Sequence, residues 1–405
     1  MPTFLLKRRL RRFRSFLTTM LDSNKYRLKA YQGLEGLAAI QKHWRNLIQQ
    51  LDGKGFWHYY EWYESYLQYL EPEPERLFFF VLFDSDQVLA ILPLKHQSKR
   101  FKGVPLNVLE LPRHSHIKLK DILFPKSFQT DAALEALMNG LQRQTLPPWD
   151  VIILHDLLPD ACALTAFAKM PVTKIIEHHD ACDAIDIGSS SDSIREGMSK
   201  QLKKSLKVSN RRAAALGTLT SAAVRHPDRM RSAFQAFLDL EASGWKGPQG
   251  TGTAIQCDPK VMGFYASLVQ KFGALNQCEV ALLYLNEQTI AGTFSLIVDD
   301  TAYSLKIAYN ESMANLSPGN LQREKLMLNY AQQQSIRSLN LVSGSSSPWH
   351  RRWNITSRTT YRLYFFNRSP KAYMAFTMKN AKKKIKAALK NRNKNARSIS
   401  GNGQL

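Results

Sequence analysis

Two stretches of the chain repeat one pattern of apolar and polar positions. Leu77–Leu94, LFFFVLFDSDQVLAILPL, reads as two strands about a polar turn at Asp84-Ser85-Asp86, because short β-rich runs broken by Asp and Ser mark a hairpin. Glu279–Val298, EVALLYLNEQTIAGTFSLIV, has the same form with its turn at Asn286-Glu287-Gln288. Gln87-Val88-Leu89-Ala90 aligns with Gln288-Thr289-Ile290-Ala291 at an offset of 201, about half the chain. An aromatic-rich helical stretch precedes each hairpin, Phe56–Tyr69 in one half and Phe264–Phe272 in the other. A helix-like segment and a short apolar strand follow each: Asp131–Arg143 then Trp149–Leu154, and Leu321–Gln334 then Ser338–Val342. The echo predicts two α/β domains of similar internal order, joined near 186–200. The joining segment ends in a basic helix over Ser199–Leu216.

Charge changes this picture more than composition does. The 405 residues are 44% hydrophobic and 22% charged, an ordinary globular make-up, but the formal net charge is +23. Residues 1–21 hold six Lys/Arg and residues 371–405 hold ten, neither with an acid, and 195–212 holds seven against one acid. The rest is nearly neutral, so the folded bulk is not a basic nucleic-acid-binding surface. Leu6, Leu10, Phe13, Leu17 and Met20/Leu21 form one helical stripe flanked by arginines, a pattern that fits a basic amphipathic helix lying on an anionic membrane. A terminal helix packed on its own body has the same pattern. Tyr373, Phe376, Ile385 and Leu389 repeat the theme among lysines, and either tail could also touch RNA, because phosphate attraction does not distinguish the two.

The four cysteines, Cys162, Cys182, Cys257 and Cys278, are scattered without metal-ligand spacing and read as reduced residues of a cytoplasmic protein. The longest apolar run, Leu77–Phe83, falls short of the roughly 18 residues of a membrane span. Residues 1–21 lack the apolar core of a signal peptide. The chain is therefore expected in the cytoplasm, with its tails able to hold it at the inner membrane.

The most informative stretch is Thr301–Tyr309, a strand by composition, then a loop, then Ser317-Pro318-Gly319-Asn320-Leu321 opening a helix. Ser and Pro are ordinary start signals. Gly at the second position lets backbone N–H groups approach a ligand, and a strand leading into such a turn makes a phosphate cradle. The same turn also occurs as a plain helix start. Glu177-His178-His179-Asp180 looks metal-like, but adjacent histidines on a strand face opposite ways, so it reads as structural and no metal is expected. His114-Ser115-His116 reads as a surface loop beside Pro112 and lysines.

The order helix, hairpin, long strand, S-P-G helix, strand and aromatic/basic segment resembles the acetyltransferase (GNAT) superfamily. More narrowly it resembles the CelD-type (cellulose biosynthesis-associated) acetyltransferase-domain branch, related to the FemAB peptidyltransferases. The resemblance rests on Lys200-Gln201-Leu202-Lys203-Lys204-Ser205-Leu206, Ser243-Gly244-Trp245-Lys246, Phe264-Tyr265, Ala308-Tyr309-Asn310-Glu311, Ser317-Pro318-Gly319 and Trp349-His350-Arg351-Arg352-Trp353, in that order. Trp349-His350 stands where family members usually have Tyr-Lys, and Asn310 where an acid is common.

The resemblance implies an α/β (α+β) fold of two tandem GNAT-like domains, each a mixed, mostly antiparallel sheet flanked by helices, with basic helical tails. The expected division is a basic helix over 1–24, a degenerate domain over 25–188, the acyltransferase domain over 189–370 and a basic tail over 371–405. It implies acetyl-CoA or another acyl-CoA as co-substrate, its pyrophosphate held by the backbone of Gly319, Asn320 and Leu321, with Ser317 capping the helix. In direct transfer an amine or hydroxyl attacks the thioester with a base and an acid assisting, and orientation supplies much of the rate. Glu311 is the candidate base, Tyr309 the proton donor to the thiolate, and His350 a further titrating group. Trp245, Lys246, Trp349, Arg351 and Trp353 are candidate acceptor-binding residues. Each has a plainer reading: a solvated loop carboxylate, a packed tyrosine, a tryptophan packing stripe. The expected acceptor is a small or lipid-linked, cell-envelope or exopolysaccharide-related molecule, with no DNA partner. The alternatives are a Fem-like transferase using aminoacyl-tRNA, for which the basic segment 195–212 speaks, and a non-catalytic GNAT-like binding protein.

Overall fold

Both hairpins form, and they match in detail. In the computed structural model, which describes residues 25–381 except 102, 144–146, 189 and 345–349, the first hairpin joins β2 (Leu77–Asp84) to β3 (Gln87–Phe101). The second joins β8 (Cys278–Leu285) to β9 (Gln288–Val298). Their first turn residues, Ser85 and Asn286, share a left-handed conformation with φ of 55° and 56°. Each hairpin carries a bulge, after Leu82 and after Leu283. Strand start, bulge and turn all repeat at the offset of 201. The near-continuous burial of β2 and β8 explains their unbroken apolar runs, since both faces of the sheet are covered.

The other strands are β1 (Tyr26–Gln32), β4 (Val104–Glu110), β5 (Val151–Leu157), β6 (Lys174–Asp186), β7 (Leu219–Val224), β10 (Thr301–Tyr309), β11 (Ser338–Asn340) and β12 (Ile355–Phe366). They form one twelve-stranded sheet in the order β1-β2-β3-β4-β5-β12-β6-β11-β10-β9-β8-β7. Neighbours are antiparallel except β4 with β5 and β10 with β11. The fold is thus the expected tandem of mixed, mostly antiparallel sheets flanked by helices, fused edge to edge. The fusion exchanges strands: β12, late in the chain, lies between β5 and β6, while β6 pairs with β11 of the second half.

Helices used below are α1 (Tyr60–Ser65), α2 (Asp131–Arg143), α3 (Cys162–Lys169), α4 (Lys200–Leu216), α5 (Pro227–Ser243), α6 (Pro259–Ala274) and α7 (Pro318–Gln333). The aromatic helical stretches of the two halves meet face to face through α1 and α6. Trp62 packs edge-on against Phe264 at 5.2 Å, Ser65 Oγ and Ser267 Oγ are 2.8 Å apart, and Lys271 pairs with Glu64 at 2.6 Å. The basic helix α4 starts where Ser199 Oγ accepts from Leu202 N at 3.2 Å. It ends at Gly217, where φ is 155° and a Cβ would strike Asn286. Leu202, Leu206 and Ala213 bury one face, and Lys200, Lys203, Lys204, Lys207 and Arg211 line an exposed one. Residues 370–381 are helical, with Ala372 and Ala375 packed beside Leu106 and Val108. The basic segment 1–24 and the tail beyond 381 lie outside the described residues.

Candidate active site

A β-ladder closes the gap between two strands, so a cleft needs a place where the ladder stops but the strand goes on. β10 supplies one. Its first three residues pair with β11 in parallel, Thr301–Tyr303 against Ser338–Asn340, yet it continues to Tyr309 with a bulge between Ser304 and Lys306. On the other side the chain turns away at Val342, where φ is 53°, and the Leu341 amide bonds Asp183 O of β6 instead. The strands part around a cavity of about 310 Å³ lined by Ser304–Ile307 and Leu341–Ser343. A smaller recess of about 40 Å³, lined by Tyr309, Gly319 and Arg323, shares Ser304, Ile307 and Leu341 with it. The first half has no such continuation: β4 ends at Glu110, the residue of its last parallel pair.

The large cavity is walled by both halves. His116 and Lys118 come from the loop after β4, Tyr265 from α6, Lys306 from β10 and Arg323 from α7. His116 Nδ1 lies 3.1 Å from the Tyr265 hydroxyl. Burial, then the neighbouring Lys306 and His114, push the His116 pKa down to about 3, so its ring is neutral near pH 7. Burial raises the Tyr265 pKa well above the usual phenol value. Lys306 Nζ sits 5.6 Å from the Tyr265 ring, and burial lowers its pKa against the opposing pull of Glu241. Arg323, half-buried and 5.5 Å over the Trp353 ring, is lowered to about 10 by desolvation.

The residues singled out from sequence divide around this cavity. Tyr309, at the end of β10, is exposed and lines the recess with Gly319. A Cβ at Gly319 would meet nothing within 4 Å, so the helix start faces open space. The Asn320 and Leu321 amides are taken by Ser317 O at 2.9 and 3.2 Å, which leaves the Gly319 amide without a backbone acceptor among the described residues. Leu321 is a core residue. Ser317 is left-handed, with φ of 51°, and its side chain makes no capping bond. The expected cap is absent because that backbone carries its hydroxyl away from the N-cap geometry.

Glu311 is exposed, and its Oε1 accepts from Trp245 N at 3.2 Å. It ties the Gly244-Trp245 turn to the end of β10. Trp245 itself is largely exposed. Lys246, expected at the acceptor, instead bonds Glu241 Oε1 at 3.3 Å and Ile307 O at 2.8 Å. Trp353, expected in the cleft, is 2% exposed in the core beneath α7; apolar packing has claimed it. Trp349 and the side chains of His350 and Arg351 lie outside the described residues.

His116, Tyr265, Lys306 and Arg323 were not singled out by sequence as site residues. Lys306 left a trace, as a charge within the apolar strand TAYSLKIAY. His116, read from sequence as part of a surface loop, instead walls the cavity, because its partner Tyr265 is 149 positions away and no local signal reveals it. His178 and His179 diverge as adjacent strand residues should: one packs on the Tyr361 ring and the other meets Asp156 and Arg362. Among the described residues no cluster of three His, Cys, Asp or Glu could hold a metal ion, and no helix is long and apolar enough to cross a membrane.

Comparison with known proteins fits this geometry. Residues 200–351 match the Acetyltransferase (GNAT) domain family. No curated protein matches the sequence. The crystal structure of FemX superposes with a TM-score of 0.53 at 10% identity, covering 81% of this chain and 96% of that one. L-PGS from Bacillus licheniformis superposes at 0.50 and 12% identity, covering 84% and 96%. A tandem GNAT protein from the clavulanic acid biosynthesis pathway overlaps at 0.44 and 9% identity, covering 85% and 100%. Identities this low speak to the fold alone. The family match, spanning the strands that part and the turn beside them, makes residues 200–351 a GNAT-type acetyltransferase domain and the protein an acyltransferase.

Proposed function

We propose that the protein transfers an acyl group from an acyl-CoA to an amine or hydroxyl of a cell-envelope or exopolysaccharide-related acceptor. The parting of β10 from the chain after β11 carries this reading. Where a ladder stops, the facing N–H and C=O groups lose their partners, and an extended ligand bearing amides can lie between the strands and supply new ones. The pantetheine arm of CoA is such a ligand. Gly319 offers its amide at the positive end of α7, with open space before it, to the pyrophosphate. Arg212 of α4 reaches Asn315 O at 3.2 Å and brings a cation to the same turn.

In the reaction the acceptor nitrogen or oxygen attacks the thioester carbonyl. A C–N or C–O bond forms, the C–S bond breaks, and the proton that the acceptor gives up ends on the leaving thiolate. The neutral His116 accepts a hydrogen bond from the acceptor and aims it. The Lys306 ammonium faces the charge that develops on the carbonyl oxygen. Tyr309, at the mouth of the recess, is placed to return the proton to the thiolate. Glu311 acts through the turn it holds. Basic tails on an anionic membrane surface would suit a lipid-linked acceptor.

A second reading is transfer of an aminoacyl group from tRNA. It draws on the exposed cationic row of α4 beside the α7 turn and on the fold shared with FemX. Calorimetric titration with acetyl-CoA, longer acyl-CoAs and charged tRNA separates the two. Micromolar acyl-CoA binding that disappears in Gly319→Asp, a change the open space tolerates, is the expected result. Absence of binding to every acyl-CoA would overturn the first reading, and binding of charged tRNA would then establish the second.

A further inference from the structure

The large cavity beside β10 carries charge of one sign. Lys118 lines it from the loop after β4, Lys306 from β10 and Arg323 from α7, and no aspartate or glutamate is among the described residues that line it. Two acids act on its groups from outside the lining, and both are engaged elsewhere. Glu241 pulls on Lys306 but accepts from Lys246 Nζ at 3.3 Å and from Ile255 N at 2.9 Å. Asp258 acts on His116 but caps α6, accepting from Lys260 N at 2.8 Å and Val261 N at 3.4 Å. Neither Lys118 nor Lys306 forms an ion pair among the described residues.

Like charges gathered around a partly desolvated space repel one another more strongly than in bulk water. The pKa values of His116 and Lys306 are lowered by burial first, and Lys118 lowers both further. The cavity therefore holds a positive potential with nothing of its own to balance it. A cationic acceptor is repelled there, and a neutral one leaves the ammonium groups uncompensated. An oxyanion relieves the repulsion and accepts charged hydrogen bonds. The donor does not account for all of this charge. Arg323 also lines the recess beside Gly319, the side given above to the phosphates of CoA, whereas Lys118 lines the large cavity and not the recess.

We propose that the acceptor bears an oxyanion, a phosphate or a carboxylate, which Lys118 binds while the acceptor's amine or hydroxyl is presented to His116. The two residues stand two positions apart on one loop of the first half, so a single loop reads both the charge and the nucleophile. The first half then chooses the acceptor, and the second holds the donor. This assignment rests on the acyl-transfer reading and adds to it the charge of the acceptor.

Calorimetry on the full chain tests it in two steps. Titration with CoA comes first, and absence of binding would defeat the acyl-transfer reading itself. The CoA-saturated protein is then titrated with inorganic phosphate, glucosamine 6-phosphate and glucuronate, with glucosamine and glucose as controls that lack the oxyanion. At least one anionic probe should bind, and the controls should not. Lys118 is exposed and its side chain makes no hydrogen bond or ion pair among the described residues, so Lys118→Ala keeps the fold. That change should weaken the anionic probe about tenfold, as loss of a charged hydrogen bond does, and leave the CoA affinity unchanged; Lys118→Glu should abolish binding of the probe. With CoA bound, the proposal alone is overturned by anionic probes that do not bind, by controls that bind equally well, or by an affinity that Lys118→Ala leaves unchanged. A loss of CoA affinity in Lys118→Ala overturns it as well, because the lysine would then serve the donor.

Discussion

Replacing Lys246 with methionine keeps the length of the side chain and removes its charge. In the native protein Nζ bonds Glu241 Oε1 at 3.3 Å and Ile307 O at 2.8 Å. The Glu241 side chain is fully buried, and its other oxygen accepts from Ile255 N at 2.9 Å. Lys246 therefore braces β10, just beyond its bulge, against the end of α5. Removing one partner of a buried ion pair costs about 3–5 kcal/mol, because a charge is left uncompensated. Lys246 keeps 22% of its side-chain exposure, and the nearby Lys306 shares in neutralising Glu241, so the cost should be about 2–3 kcal/mol. Urea unfolding of Lys246→Met, Glu241→Gln and the double variant measures it, and the cycle should return a coupling of about 2 kcal/mol. The reverse pattern refutes the reasoning: stability within about 0.5 kcal/mol of wild type together with a raised KM for the acceptor would make Lys246 a binding residue.

His116 makes a prediction about acid stability. Its folded pKa of about 3 lies below the unfolded value of 6.5, so the unfolded chain takes up the proton first. The contribution is complete above pH 6.5 and is lost as the pH falls toward 3. His116→Gln should flatten the fall in urea midpoint over that range; identical profiles for both proteins would count against a desolvated ring. Deletion of residues 1–21 should abolish sedimentation with anionic liposomes, and unchanged binding would remove the membrane role of that segment.

What the sequence revealed is what locality can reveal. Helix α2 is found at its expected bounds, and α4 lies between Ser199 and Gly217, because caps and periodicity lie within a few residues of what they delimit. The hairpins were legible for the same reason and matched because the halves repeat. The strand expected over Ser338–Val342 stops at Asn340, since Val342 adopts a left-handed conformation that no local signal announces. β12, with Arg358 and Arg362 among its apolar residues, carries no clean alternation, and nothing local says which strands flank it. The site divides in the same way. Gly319 and Tyr309 belong to one strand-to-helix passage and could be read together. The His116–Tyr265 contact exists only because the loop after β4 meets α6 across the two halves.

The exchange of β6 and β12 also bears on where the chain can be divided. A cut between residues 188 and 189 follows the repeat, yet it parts β12 from both of its neighbours. Ten residues of β12 pair with β6, from Ile355↔Ile185 to Phe365↔Lys174, and five pair with β5. In a 189–405 fragment both edges of this twelve-residue strand would expose unpaired N–H and C=O groups, and β11 would lose β6 as well. Open edges of this length template association. The fragment alone should therefore aggregate or unfold without cooperativity. Coexpressed with 1–188, it should form a stable complex, because the exchanged strands restore each other's ladders. A monomeric 189–405 fragment that unfolds cooperatively and binds acyl-CoA as the whole chain does would show that the repeat, and not the exchange, defines the folding unit.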